Sequence, residues 1–164
     1  MLSRLLVTLG VIALALAAPA RADDAQAPGQ IPTGRWITAS GDAVIQIAPC
    51  GANLCGQIVG IELAHPGDPM PTNWQGQPQC GETIIQTTEA TDANGQPVWK
   101  GTVLDPRNGN IYQARIKLDQ SRHLELHGYL GLPIFGQTQT WTPFAGRTMA
   151  NCHLADNSTP PSNG

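Results

Sequence analysis

Apolar and polar residues alternate along most of this chain with a period of two. The clearest run sets Tyr112, Ala114, Ile116 and Leu118 against Gln113, Arg115 and Lys117. A strand turns successive side chains to opposite faces, so this run predicts one packed and one solvated face, as in an antiparallel sheet. Leu124, Leu126 and Leu130 oppose His123, Glu125 and His127 in the same way. In 43–47, Ala43, Ile45 and Ile47 alternate with Val44 and Gln46. In 54–63, the pattern puts Cys55, Val59, Ile61 and Leu63 on one face. With 34–38, 82–88, 98–104 and 134–142 this makes eight predicted strands.

The segments between them are hairpin chemistry. Asp105-Pro106-Arg107-Asn108-Gly109 and Asp119-Gln120-Ser121 are rich in turn formers. No amphipathic helix of ten residues or more and no internal repeat interrupts the series. Eight short strands in a meander predict an all-β fold, a single eight-stranded antiparallel β-barrel over 34–152, because closure removes exposed edges. One connection is long: 64–79 carries four prolines and no strand pattern. A segment of that kind is either a functional rim or a plain surface loop. The polar stretch 23–33 reads as a flexible lead-in, and the tail 153–164 as disordered.

Residues 1–22 stand apart from this pattern. Arg4, an apolar run over 5–18 and the small-x-small ending Ala20-Arg21-Ala22 are built like a secretory signal peptide. The apolar run falls short of the roughly 20 residues a membrane helix needs, and no later segment replaces it. The protein is therefore expected in the periplasm or outside the cell, with no membrane span once the leader is removed. Disulfides persist there, so Cys50, Cys55, Cys80 and Cys152 read as two bridges. Cys50 and Cys55 flank a tight turn, where cross-strand neighbours come within disulfide distance; Cys80 is then left for Cys152.

Charge narrows the partners. Without the leader, 7 basic residues face 12 acidic ones, and the basic residues are scattered. Nothing forms the basic stripe that phosphate backbones require, which argues against nucleic acid.

Several stretches taken together resemble an uncharacterised family of small secreted bacterial proteins, domain of unknown function 2147. They are Gly34-x-Trp36, Leu54-Cys55-Gly56-Gln57-Ile58-Val59, Trp99-x-Gly101-x-Val103-Leu104-Asp105-Pro106-x-x-Gly109-x-x-Tyr112, Leu126-x-Gly128-Tyr129-Leu130-Gly131 and Phe135-Gly136-Gln137-Thr138-Gln139-Thr140-Trp141. The resemblance covers about 34–144. It implies a small calycin-type, lipocalin-like barrel with no established activity. The Gly34-x-Trp36 opening is similar to the lipocalin start, which implies a tryptophan plugging the barrel floor beneath a late arginine, here Arg147. The family's Asp…Asn-Pro…Arg segment is replaced by Asp68-Pro69-Met70-Pro71-Thr72-Asn73-Trp74 and the additional Cys80.

Catalytic signatures are sparse. Of Ser40, Ser121, Ser158 and Ser162, none lies in a G-x-S-x-G elbow. His123 and His127 would be about 13 Å apart on a strand, too far to share one ion. Asp105 reads as a turn cap rather than an acid or base. No cofactor or metal motif is found, and the reading points away from an enzyme. The last strand is more informative: Phe135, Gln137, Gln139 and Trp141 share a face. If that face points inward, amides accompany aromatics inside the barrel, an arrangement suited to a small, partly apolar ligand. Otherwise the threonine face points inward, or the amides bond one another or the backbone. Trp36 and Trp99 share their strands' inward faces, either beside such a ligand or as core packing. A second functional reading is a protein-binding module, a hydrolase inhibitor or envelope assembly factor, acting through rim loops with Trp74 as an exposed anchor.

Overall fold

The computed structural model describes residues 31–65 and 67–154. The leader, most of the lead-in and residues 155–164 lie outside the described residues. Eight strands close into one antiparallel barrel in sequence order. They are β1 (Gly34–Ile37), β2 (Ala43–Cys50), β3 (Asn53–Ile61), β4 (Thr83–Thr91), β5 (Pro97–Leu104), β6 (Ile111–Leu118), β7 (Leu124–Tyr129) and β8 (Gln137–Pro143). Closure is made where β1 meets β8, with Trp36 opposite Pro143 and Ile37 opposite Thr142. The strands alternate in direction, so the connections 51–52, 92–96 and 119–123 gather at one end, the floor. Those at 38–42, 62–82, 105–110 and 130–136 gather at the other, the rim.

The period-two pattern is realised most directly on β6, where Ala114 and Ile116 are buried and Gln113 and Lys117 are exposed. Strand β3 differs from the expectation. Leu54, Gly56 and Ile58 are buried, whereas Cys55 and Val59 lie on the other face. The register against β2 shifts between Val44 and Ile45, which pair with Gly60 and Ile58. Val59 is the extra residue of that bulge, and it restores Ile61 to the interior. Strand β8 begins later than the pattern suggests. Pro133–Phe135 forms a short 3-10 turn, so Phe135 belongs to the rim and not to the strand.

Glycines let the wall close tightly. A Cβ on Gly101 would be driven into the carbonyl oxygen of Gln86 and would lie 2.7 Å from Thr87 Cα. One on Gly56 would come within 2.8 Å of Ile85 Cβ.

Both disulfides form as paired from the sequence, Cys50–Cys55 and Cys80–Cys152. The second holds the chain that leaves β8. Ile61 N–H donates to Cys152 O at 2.7 Å, and His153 forms a bridge beside Ile61. Leu154 and Thr148 cover Gly60 from outside, which explains why the outward Val44 is buried. Leu154 N–H in turn donates to Ile61 O at 3.2 Å.

Candidate functional site

Half of the barrel is packed and half is hollow. Trp36, Ile47, Leu54, Trp99, Ile116 and Leu124 belong to the core and are nearly inaccessible. The Trp36 indole donates to Pro32 O at 3.1 Å, a buried bond that satisfies the donor. Arg147 is exposed; the cationic group stacked near the floor is Arg35, 5.5 Å above the Phe144 ring. Trp36 and Trp99 therefore fill the floor side, apart from the cavity above.

Above them is a cavity of about 940 Å³. Eight strands enclose a space that either fills with its own side chains or holds one small ligand. Here it does the first at the floor and leaves room for the second at the rim. The base of the cavity is apolar, with Ile45, Ile58, Leu126 and Trp141. Gly128 also lines it, and a Cβ there would find nothing nearer than 3.8 Å. The missing side chain is part of the open space.

Gln137 and Gln139 line the same cavity from β8. The Trp141 indole N–H donates to Gln139 Oε1 at 3.0 Å. An indole nitrogen can only donate, so the oxygen of the amide must face it. The Gln139 Nε2 donors have no protein partner among the described residues and turn to the cavity. Phe135, 74 % exposed, stands at the rim of the same wall. Of the six residues singled out in the sequence, Phe135, Gln137, Gln139 and Trp141 are brought together on the cavity wall; Trp36 and Trp99 are not.

Another part of the mouth is charged, which the pattern of strands did not reveal. Asp42, Asp105, Arg107 and Tyr112 all line it. Thr38 and Ser40 donate to Asp42 Oδ1 at 2.7 and 2.6 Å. Burial favours the neutral acid, but these bonds, the main-chain N–H and the Arg107 charge outweigh it and lower the Asp42 pKa. Asp105 takes a two-pronged contact from Arg107, Nε to Oδ1 at 3.0 Å and Nη2 to Oδ2 at 3.2 Å. The guanidinium bond is the main reason its pKa is also lowered, against the opposing effect of partial burial. Turn chemistry marked Asp105 in the sequence; its place on the same mouth as Asp42 came only from barrel closure.

The long connection is folded. Asn73 is buried and accepts from the N–H groups of Gln75 and Gln77 at 3.0 and 2.9 Å, while its amide donates to Glu82 Oε1 at 3.0 Å. This makes a small hairpin, closed by the Thr72–Pro78 bridge, that contributes Pro71 and Gln79 to the mouth. Trp74 N–H donates to Pro106 O at 2.9 Å. Its indole lies against Gly109, where a Cβ would stand 2.8 Å away, and 44 % of Trp74 remains exposed. A shallower depression of about 240 Å³ on the outer wall, beside Arg115, Lys117 and Glu125, is a solvated row crossed by the Lys117–Glu125 ion pair.

Residues 34–143 match the family described as "Uncharacterized protein conserved in bacteria (DUF2147)". Among solved structures, the chain is similar to protein HP1028 from the human pathogen Helicobacter pylori, described as belonging to the lipocalin family. The identity is 12%, over 70% of this chain and 84% of that one, with a TM-score of 0.51. At such identity the likeness concerns the fold. No curated protein matches the sequence.

Proposed function

The chain belongs to the bacterial DUF2147 family, and from that premise we propose that it is a secreted, non-enzymatic, lipocalin-like protein that binds a small, partly apolar ligand in the upper half of its barrel. The observation that carries the reading is the Gln139 amide, oriented by Trp141 at the edge of the cavity's apolar base, where its N–H donors have no partner among the described residues. Binding pockets combine apolar walls with a few placed polar groups that fix orientation. The ligand is thus an apolar molecule bearing a hydrogen-bond acceptor such as a carbonyl or carboxylate. Its polar end meets the amides or reaches toward the charged side of the mouth. The leader sequence and the two disulfides support a periplasmic or extracellular setting.

Native mass spectrometry of protein purified from the periplasm, against the same sample denatured without reduction, tests this reading. Added mass in the native spectrum alone is the expected result. A bare native mass after addition of acceptor-bearing amphiphiles such as dodecanoate would count against it.

A further inference from the structure

One sector of the rim is built from side chains that a soluble protein ordinarily hides. Leu130, Leu132, Ile134 and Phe135 are 61, 62, 80 and 74 % exposed. They follow one another in the β7–β8 connection, and no charged residue occurs anywhere in 128–146. Scattered exposed apolar residues need no account, but a contiguous group does.

The connection is held in place. Phe135 N–H donates to Leu132 O at 3.1 Å and Gly136 N–H to Pro133 O at 3.0 Å. His127 Nε2 lies 2.9 Å from Pro133 O, and its Nδ1 lies 2.8 Å from Thr138 Oγ1. A carbonyl only accepts, so Nε2 carries a proton. A Cβ on Gly136 would come within 2.6 Å of Gly128 O and of the His127 ring, so the loop sits down on β7. The backbone that carries its apolar side chains is thereby fixed.

Leu130 and Phe135 also line the cavity. The apolar sector is therefore continuous with the ligand site, whereas the charged groups Asp42, Asp105 and Arg107 occupy other parts of the mouth. We propose that this loop seats the barrel on the surface of a lipid bilayer, so that the ligand passes between lipid and cavity along an apolar path. Apolar side chains enter the headgroup boundary readily, and charges there oppose insertion. An uncharged sector of protruding apolar side chains meets that requirement, and a bilayer adapts to its shape. The proposal rests on the ligand-binding reading for what is transferred, but not for the docking itself.

The test is sedimentation of the secreted protein, freed of its leader, with neutral phosphatidylcholine vesicles. The control is the double variant Leu132→Asp, Ile134→Asp. Both residues are exposed and off the cavity wall, so the variant should melt with the wild type. The proposal expects the wild type to sediment with vesicles at low and high salt alike, and the variant to bind at least tenfold less. Failure of the wild type to bind overturns it, as does equal binding by the variant. A wild-type dimer in solution that the variant breaks would assign the patch to a second copy and overturn it too. Cavity occupancy read by native mass spectrometry on the same samples separates the two ideas. An empty cavity with intact vesicle binding would sink the ligand reading alone.

Discussion

Trp141 and Gln139 form one hydrogen-bonded unit across two residues of β8, indole Nε1 to amide Oε1 at 3.0 Å. Both side chains face inward because they are two apart on a strand. The buried indole gains its partner, and the amide loses its freedom to turn over. Its donors are presented to the cavity before any ligand arrives, which lowers the ordering cost of binding.

Replacing Gln139 by Glu separates these two roles. A carboxylate still accepts from Trp141 but offers no N–H to the cavity. Ligands bearing an acceptor should bind at least tenfold more weakly, about 1.4 kcal/mol, with little change in melting temperature. Gln139→Leu should also abolish binding, at an added cost of about 1–3 kcal/mol for the unsatisfied indole. Calorimetric binding and thermal melts on the two variants check this; undiminished binding by Gln139→Glu would contradict the assigned role.

Gly101→Ala should destabilise the barrel strongly, by about 3 kcal/mol, as overpacking of a close contact does. The new methyl would strike the backbone of β4 at Gln86 and Thr87, which cannot move aside as a side chain can. Gly128→Ala should be close to neutral, because a methyl there would meet only ordinary contacts, at 3.8 Å and beyond. Denaturant midpoints of the two variants test the contrast, and equal midpoints would refute it.

The two disulfides should differ in weight. Cys80–Cys152 spans 72 positions and Cys50–Cys55 only 5. In the chain-entropy model the longer loop contributes about 4 kcal/mol and the shorter about 2 kcal/mol. The double-serine variant at Cys80 and Cys152 should therefore unfold at clearly lower denaturant than the variant at Cys50 and Cys55. The reverse order would mean that the C-terminal segment is held without its bridge.

Acid should loosen the mouth. Asp42 and Asp105 have pKa values lowered below 3.8 in the folded protein. Their stabilisation is complete above the unfolded value and is lost as pH falls through the folded values. Removing the hydroxyls with Thr38→Val and Ser40→Ala raises the Asp42 pKa, so the acid unfolding midpoint should move to higher pH. An unchanged midpoint would show that these bonds do not hold the carboxylate.

The barrel was legible because its signal is local. Every strand of β6 type declares its inner face, and the turns at 105–110 and 119–123 declare themselves by composition. The inner face of β3 was misread because one bulge at Val59 reverses the parity, and a bulge leaves no mark in alternation. Ile134 and Phe135 were read as strand because they continue the apolar pattern; Pro133 beside them is the clue to the turn. The inward glutamines were visible as a face. The Asp42–Asp105–Arg107 side of the mouth was not, since Asp42 lies far in sequence from Asp105 and Arg107 and comes to the same mouth only when the barrel closes. The fold of 64–79 depends on one buried side chain, Asn73, whose burial no pattern announces.

The central claim is that the upper barrel is a ligand cavity and not a loosely packed core. Gly128→Leu tests it most directly, because the added side chain enters open space from the wall. Native mass spectra of wild type and variant from the periplasm should differ: added mass on the wild type, none on the variant, with a melting temperature at or above that of the ligand-free wild type. The same added mass on both proteins, or none on either, would contradict the claim.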